Sequence, residues 1–212
     1  MSDQRFIVTG TDTDVGKTVF AAALTGALGA SYWKPVQAGS DLFGRGDSES
    51  VAQLSGAPPE SILPEAYRLS TPCSPHLAAQ IDNVEIDPER LELPQVDGPL
   101  VVEGAGGVLV PLTRSLLFVD QFARWACPAI LVARTSLGTI NHSLMSIETL
   151  RARKVPILGI AFCGEENPES ESIIAEIGRV RRLGRLPVLD ELDPDSLATA
   201  FRRNFNLADF RS

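Results

Sequence analysis

The chain has 212 residues, 44% of them hydrophobic, which is enough to bury one sizeable core, so a single domain over residues 1–212 is the starting expectation. With 27 acidic against 19 basic residues the formal net charge is -8, and neither sign gathers into a long block, so no nucleic acid and no anionic membrane surface is expected as a partner. Three cysteines without a CxxC pair and only two histidines argue against zinc sites or a disulfide framework, and the absence of a leader-like start or of ~20 consecutive apolar residues predicts a soluble cytoplasmic protein with reduced thiols.

In chain order, an apolar run at residues 6–9 predicts a strand, and the helical pattern at 17–28 follows after a turn rich in Gly, Thr and Asp. A second strand is expected at 32–36, and the glycine-rich stretch 39–46 reads as a mobile loop. The proline-rich segment 56–99 reads as short helices and loops wrapping the sheet. Strands at 100–103, 129–133 and 157–162 then alternate with helices at 120–126, 140–153 and 171–180, with Pro128 and Pro156 marking re-entry into strands. The tail after Pro187 suggests one closing helix. Apolar runs of this kind suit strands buried on both faces, and the alternation predicts an α/β fold: a doubly wound, mostly parallel sheet flanked by helices.

The stretch VTGTDTDVGKT, Val8 to Thr18, sits at the first strand-to-helix junction. A helix start there offers unpaired backbone N–H groups and the positive end of a helix dipole, so an anion is the natural occupant. Lys17 is placed to reach terminal phosphates and the Thr18 hydroxyl to ligate magnesium. The ordinary phosphate loop has four residues between its glycines, however, and here five separate Gly10 from Gly16.

Further candidates lie at other strand ends. Lys34 follows Tyr32 and Trp33 where a strand exit would point it into the ligand crevice, although many lysines at such exits are merely solvated. Glu103 ends the run PLVVE and enters Gly104, Ala105, Gly106 and Gly107, so a carboxylate meets backbone that can approach a phosphate closely. The same glycines could simply punctuate a turn. Asp47 and Glu49 stand where they could cap and charge a helix start. In SLGTINH, Gly138, Thr139 and Asn141 begin another helix, with Asn141 readable as a cap or as an anion contact. His76 and His142 have no metal-like partners and receive no role.

GTDTDVGKT resembles the signature of the dethiobiotin synthetase family, whose loop is itself one residue longer than the general pattern. WKPVQAG, TPCSPH, VVEGAGG and SLGTINH are similar to that family's other motifs in the same order, over residues 5 to about 163, with a weaker LGRLPVL match at 183–189. The resemblance implies a P-loop NTPase-like ligase of biotin biosynthesis that uses ATP and Mg2+ and works as a homodimer. Its implied substrates are 7,8-diaminononanoate and CO2. One amine captures CO2 as a carbamate, the carbamate oxygen attacks the terminal phosphate of ATP to form a mixed anhydride, and the second amine displaces phosphate to close the ring.

Carried over by resemblance, Lys17, Lys34 and Thr13 are catalytic. The nucleotide is held by Asp14, Val15, Gly16, Lys17, Thr18, Val19, Glu103, Gly104, Ala105, Gly106, Cys163, Gly164, Pro187, Val188 and Leu189. Substrate contacts fall to Thr13, Lys34, Ser74, Gly138, Thr139 and Asn141, the last three across the dimer interface, and metal contacts to Thr18, Glu49 and Glu103. The chain departs from the family in two places. Ala38 replaces a hydroxyl residue and cannot donate a hydrogen bond. Cys163 stands where many members carry an adenine-reading asparagine, so tolerance of nucleoside triphosphates other than ATP is expected. Two rival readings are weaker: a partner-switching ATPase would carry an early loop lysine where Thr11, Asp12 and Thr13 stand, and a GTP switch would follow DLFG at 41–44 with an NKxD motif that is absent.

Overall fold

The computed structural model describes residues 4–41 and 43–210. The apolar runs form the inner strands of a seven-stranded sheet, β1 (Arg5–Gly10), β6 (Leu100–Gly107), β7 (Ala129–Arg134) and β8 (Ile157–Cys163). Shorter β2 (Ser31–Trp33), β4 (Ile62–Leu63) and β9 (Arg182–Leu186) complete the order β4-β2-β6-β1-β7-β8-β9, and every neighbouring pair runs parallel.

Alternation along the strands sends side chains into two cores. On β6, Leu100 and Val102 join one and Val101 the other; on β1, Ile7 is divided from Phe6 and Val8 in the same way. The helices α1 (Lys17–Leu28), α2 (Asp47–Leu54) and α7 (Pro194–Asn204) cover the Val101 face. The opposite face is covered by α3 (Pro75–Ile81), α4 (Phe118–Trp125), α5 (Thr139–Ala152) and α6 (Pro168–Gly178). Helices on both faces of a parallel sheet make the doubly wound α/β architecture that the alternation predicts. Among the described residues no helix is long and apolar enough to cross a membrane.

The position of α2 matters for the site. A Cβ on Gly26 of α1 would stand 2.2 Å from the Ser55 carbonyl oxygen at the end of α2, so the two helices approach as only glycine permits. Helix α1 closes on Gly29 at φ 59°, with Gly29 and Ala30 N–H groups returned to Gly26 and Thr25 carbonyls.

The structure corrects the expected strand at 32–36. Hydrogen bonding to the large sheet stops at Trp33, and the chain continues as β3 (Val36–Ala38), which pairs in parallel with β5 (Tyr67–Leu69) in a separate two-stranded sheet. Pro35 has no N–H to give a ladder, so a continuous strand through it loses a bond. Strands β4 and β9 were not expected, the first because it has two residues and the second because RLGRL carries two arginines and a glycine. Helix α6 starts at Pro168, earlier than the periodicity indicates, because Asn167 caps it by accepting from the Ser170 N–H at 3.2 Å. The loop expected to be mobile includes Leu42, which lies outside the described residues; Asp41 in that loop accepts from the Phe43 and Arg45 N–H groups at 2.8 and 2.9 Å.

Candidate active site

The catalytic candidates converge at the C-terminal edge of the parallel sheet, where open α/β folds bind ligands. After β1 the chain turns through residues 11–16 into α1, with Asp14 at φ 56° and Gly16 at φ 92°. These two left-handed positions let the longer loop close. A Cβ on Gly10 would lie 2.8 Å from the Asp12 carbonyl oxygen and 2.9 Å from Lys17 Cδ, so the first glycine is needed for close approach. The first intrahelical bond runs from Phe20 N to Gly16 O at 2.9 Å, which leaves the preceding amides of α1 outside the helical ladder and turned toward the loop.

Lys17 is buried and donates from Nζ to the Asp12 carbonyl at 2.8 Å. Burial lowers its pKa, with the Glu103 charge opposing and the neighbouring Lys34 adding to the shift. Below the loop, Glu103 is wholly buried, 0% exposed. Its Oε1 accepts from Thr18 Oγ1 at 2.8 Å and from Lys34 Nζ at 3.2 Å, and its Oε2 accepts from the Tyr32 hydroxyl at 2.9 Å. Lys34 also donates to the Gly104 carbonyl at 3.0 Å and pairs with Asp47 Oδ2 at 2.6 Å.

Burial works against the charge on Lys34, but Glu103 and Asp47 outweigh it and leave its pKa raised. For Asp47, burial pushes the carboxyl up while the Lys34 charge and hydrogen bond more than reverse this, so the group titrates below its ordinary range. Both stay ionised at neutral pH. Removing one member of such a buried group strands the others, typically at about 3–5 kcal/mol.

A cleft of ≈ 680 Å³ opens over these groups. Thr13, Asp14, Gly16, Lys17, Thr18, Val19, Lys34, Ser74, Glu103, Ala105 and Gly106 all line it, so motifs scattered over ninety residues of sequence meet there. Val15 is buried beneath the loop, and Gly104 contributes its carbonyl to Lys34. Sequence reasoning missed Asp47 and Gln37 as lining residues; Pro72, Cys73 and Ala38 complete the wall beside Ser74. Gln37 Oε1 accepts from the Asp47 N–H at 3.0 Å, which seats the start of α2 at the cleft.

Glu49 is not among the groups at the cleft. Its carboxylate accepts from the Gly46 N–H at 2.7 Å, closing the first turn of α2, and from Arg68 Nη1 at 2.7 Å, and that pairing lowers its pKa. The carboxylate that does face Lys34 and the phosphate loop belongs to Asp47, two residues earlier. The signal was legible: an acidic residue at the third helical position after Gly46 is half of a capping box, which leaves the first position free.

The remaining candidates lie apart from the cleft. Cys163 packs its sulfur toward Gly16, where a Cβ would meet Sγ at 2.8 Å, and burial pushes the thiol up to about 12. The Gly164 carbonyl accepts from Arg185 Nη1 at 2.9 Å. Pro187 and Leu189 line a second depression of ≈ 430 Å³ against α7, while Val188 is exposed. Gly138 at φ 94° precedes α5, where Asn141 is exposed and the Thr139 hydroxyl is already given to the Arg134 carbonyl at 2.5 Å.

Thr18 Oγ1 with the Glu103 and Asp47 carboxylates forms a set of hard oxygen donors that suits Mg2+. Among the described residues no cluster of three His, Cys, Asp or Glu side chains could hold a metal. Two carboxylates and a hydroxyl would therefore need phosphate oxygens and waters to complete a Mg2+ shell, as this ion prefers.

A glycine-rich loop between a parallel strand and a helix, with two buried lysines at one cleft, defines a phosphate-loop enzyme of the P-loop NTPase-like class. Residues 4–196 match the family model described as an AAA domain. ATP-dependent dethiobiotin synthetases from Rhodopseudomonas palustris (strain HaA2) and Agrobacterium fabrum are 64% and 63% identical to the chain, over 96% and 97% of it and 95% and 96% of their own lengths. The one from Brucella ovis is 59% identical over 98% of this chain and 97% of its own. The chain belongs to the ATP-dependent dethiobiotin synthetase family. A ParA family ATPase from Chlorobium tepidum has a similar structure, with a TM-score of 0.52 at 13% identity over 95% of this chain and 93% of its own, a likeness of fold alone.

Proposed function

We propose that the chain acts, in the cytoplasm and as one P-loop unit, as the dethiobiotin synthetase its family membership names: an ATP-dependent, carbon–nitrogen bond-forming ligase that closes the ureido ring of dethiobiotin from 7,8-diaminononanoate and CO2. The observation that carries this reading is the buried Lys34 ammonium, held between Glu103 and Asp47 at the floor of the same cleft that the phosphate loop rims. A fixed cation beside a phosphate cradle suits a carbamate oxygen attacking a terminal phosphate, because it opposes negative charge on both reactants.

In this reading the loop amides and Lys17 bind the triphosphate, and Lys17 exchanges its Asp12 carbonyl for a phosphate oxygen. Lys34 holds the carbamate beside that phosphate, and Thr13 and Ser74 border the diamine. No protein nucleophile is required; the rate gain comes from positioning and charge. Thr18, Glu103 and Asp47 would hold Mg2+, which supplies charge neutralisation on the phosphates. Gly138, Thr139 and Asn141 serve a second copy's cleft in a homodimer, a reading supported by the exposed apolar neighbours Leu137, Ile140 and Met145 on the same segment.

The base contacts are assigned to Cys163, Gly164 and the segment Pro187, Val188 and Leu189. A buried protonated thiol offers no bidentate pattern to adenine, so other triphosphates should serve beside ATP. The test is incorporation of labelled CO2 into dethiobiotin with the diamine, Mg2+ and a panel of ATP, CTP and GTP. Product with ATP, and with at least one of the others within about tenfold, is expected. No diamine-dependent product with any triphosphate rejects the reaction, and a large ATP preference rejects the account of Cys163.

A further inference from the structure

Tyr32 is the residue of the site that neither its motif nor its position announces. It lies in the middle of β2, 0% exposed, among Phe6, Val8 and Val101 in the core under α1. A phenylalanine would fill that volume equally well; the hydroxyl is what distinguishes the two. The register between β2 and β6 sets Tyr32 opposite Val101, so Glu103, two residues farther along β6, is the diagonal neighbour on the same sheet face. A tyrosine is long enough to span that diagonal, and its hydroxyl donates to Glu103 Oε2 at 2.9 Å.

The two oxygens of Glu103 therefore have separate duties. Oε1 meets Thr18 and Lys34, the groups that line the cleft, while Oε2 is turned inward onto Tyr32. A carboxylate has a free torsion at its last bond, and a donor fixed on one oxygen removes that freedom. We infer that Tyr32 is a positioning residue: it pins the inner oxygen of Glu103 from the core side, so that the outer oxygen is presented to the divalent cation and the phosphates bound at the loop. This rests on the proposed use of Mg–triphosphate at this cleft. It adds that one buried hydroxyl outside the cleft sets the carboxylate's orientation there.

The experiment measures binding. A fluorescent ATP analogue is titrated onto the full chain with and without Mg2+, for the wild type, Tyr32→Phe, Glu103→Gln and the double variant. Tyr32→Phe is expected to raise the Mg2+ concentration needed for half-maximal tight binding about tenfold, the order expected for losing a hydrogen bond to a charged group. Nucleotide affinity without Mg2+ should stay within twofold of wild type, an outcome that general loosening of the core would not give. Because Tyr32 acts through Glu103, adding Tyr32→Phe to Glu103→Gln should change Mg2+ dependence little further. The inference is overturned if the Mg2+ titration of Tyr32→Phe overlays the wild type, if Mg2+-free affinity falls equally, or if the two substitutions simply add. Should Tyr32→Phe alone prove too unstable to titrate, Glu103→Gln is compared directly with the double variant, both of which lack the buried charge: no further change in Mg2+ dependence is expected, and a further loss in the double variant overturns the inference. A wild type that binds nucleotide without regard to Mg2+ also overturns it. Mg2+-dependent binding without diamine-dependent product would instead reject the proposed reaction and leave the Tyr32 result readable.

Discussion

On α2 the first and third helical residues are both acidic, and their surroundings separate them. Asp47 is pulled toward Lys34 at 2.6 Å, whereas Glu49 turns back onto its own helix start and out to Arg68, where both partners are 41% exposed. An exposed pair of that kind contributes about 0–1 kcal/mol, while the Asp47 contact lies within a mostly buried charge group. Asp47→Asn should therefore cut Mg2+-dependent turnover by tenfold or more. Glu49→Gln should leave turnover within about threefold and lower stability only slightly. Steady-state rates over a Mg2+ series distinguish the two; a collapse in Glu49→Gln with Asp47→Asn unaffected would restore Glu49 as the metal-side carboxylate. At this scale the sequence made the lysines and Glu103 legible, because strand ends and glycines announce them. The choice between two carboxylates two residues apart depends on what Gly46 and Arg68 do in space, and a residue string carries only half of that.

At the scale of elements, the phosphate loop and the start of α1 depend on Gly16. Its φ of 92° costs an L residue roughly 1–2 kcal/mol, and a Cβ there would in addition stand 2.8 Å from both Cβ and Sγ of Cys163 at the end of β8. Gly16→Ala should lower the melting temperature and weaken triphosphate binding. Adding Cys163→Ala removes the sulfur but keeps Cβ, so recovery should be partial, read as a rise in melting temperature over the single variant. No recovery would mean that the sulfur contributes nothing and that backbone strain and the remaining Cβ contact are the whole effect. The junction of β1, loop and α1 was readable because apolar run, turn residues and helical pattern follow one another directly. The break after Trp33 was not, since Pro35 appears to local pattern as one more residue in a β-rich stretch, and only pairing with β5 reveals the second sheet. β4 was invisible for a simpler reason: two residues hold no period.

Over the whole molecule, a chain of net charge -8 keeps two buried lysines together at one edge of its sheet. Lys17 titrates low chiefly because it is buried, and the neighbouring Lys34 charge adds to that shift. A bound Mg–triphosphate supplies the missing anions to the folded state alone, so it should stabilise by mass action, by about 2.7 kcal/mol at a hundredfold excess over Kd. For a chain of this size that corresponds to a rise in melting temperature of about 5–10 °C, abolished by a chelator. A thermal scan showing no shift with saturating nucleotide would contradict the phosphate-loop assignment. The overall class was legible because alternating strands and helices admit few architectures, whereas side-by-side strand order and the two separate cores emerge only when the chain is packed.

The break at Lys34 and Pro35 fixes length as well as composition. Trp33 is the last residue bonded into one sheet and Val36 the first bonded into the other, so two residues bridge the gap. Successive side chains of extended chain face opposite ways, and one residue gained or lost in that bridge would swing the ammonium away from Glu103. Among descendants of this gene, drift can replace much of the neighbouring surface, but an insertion or deletion at this seam would silence the protein.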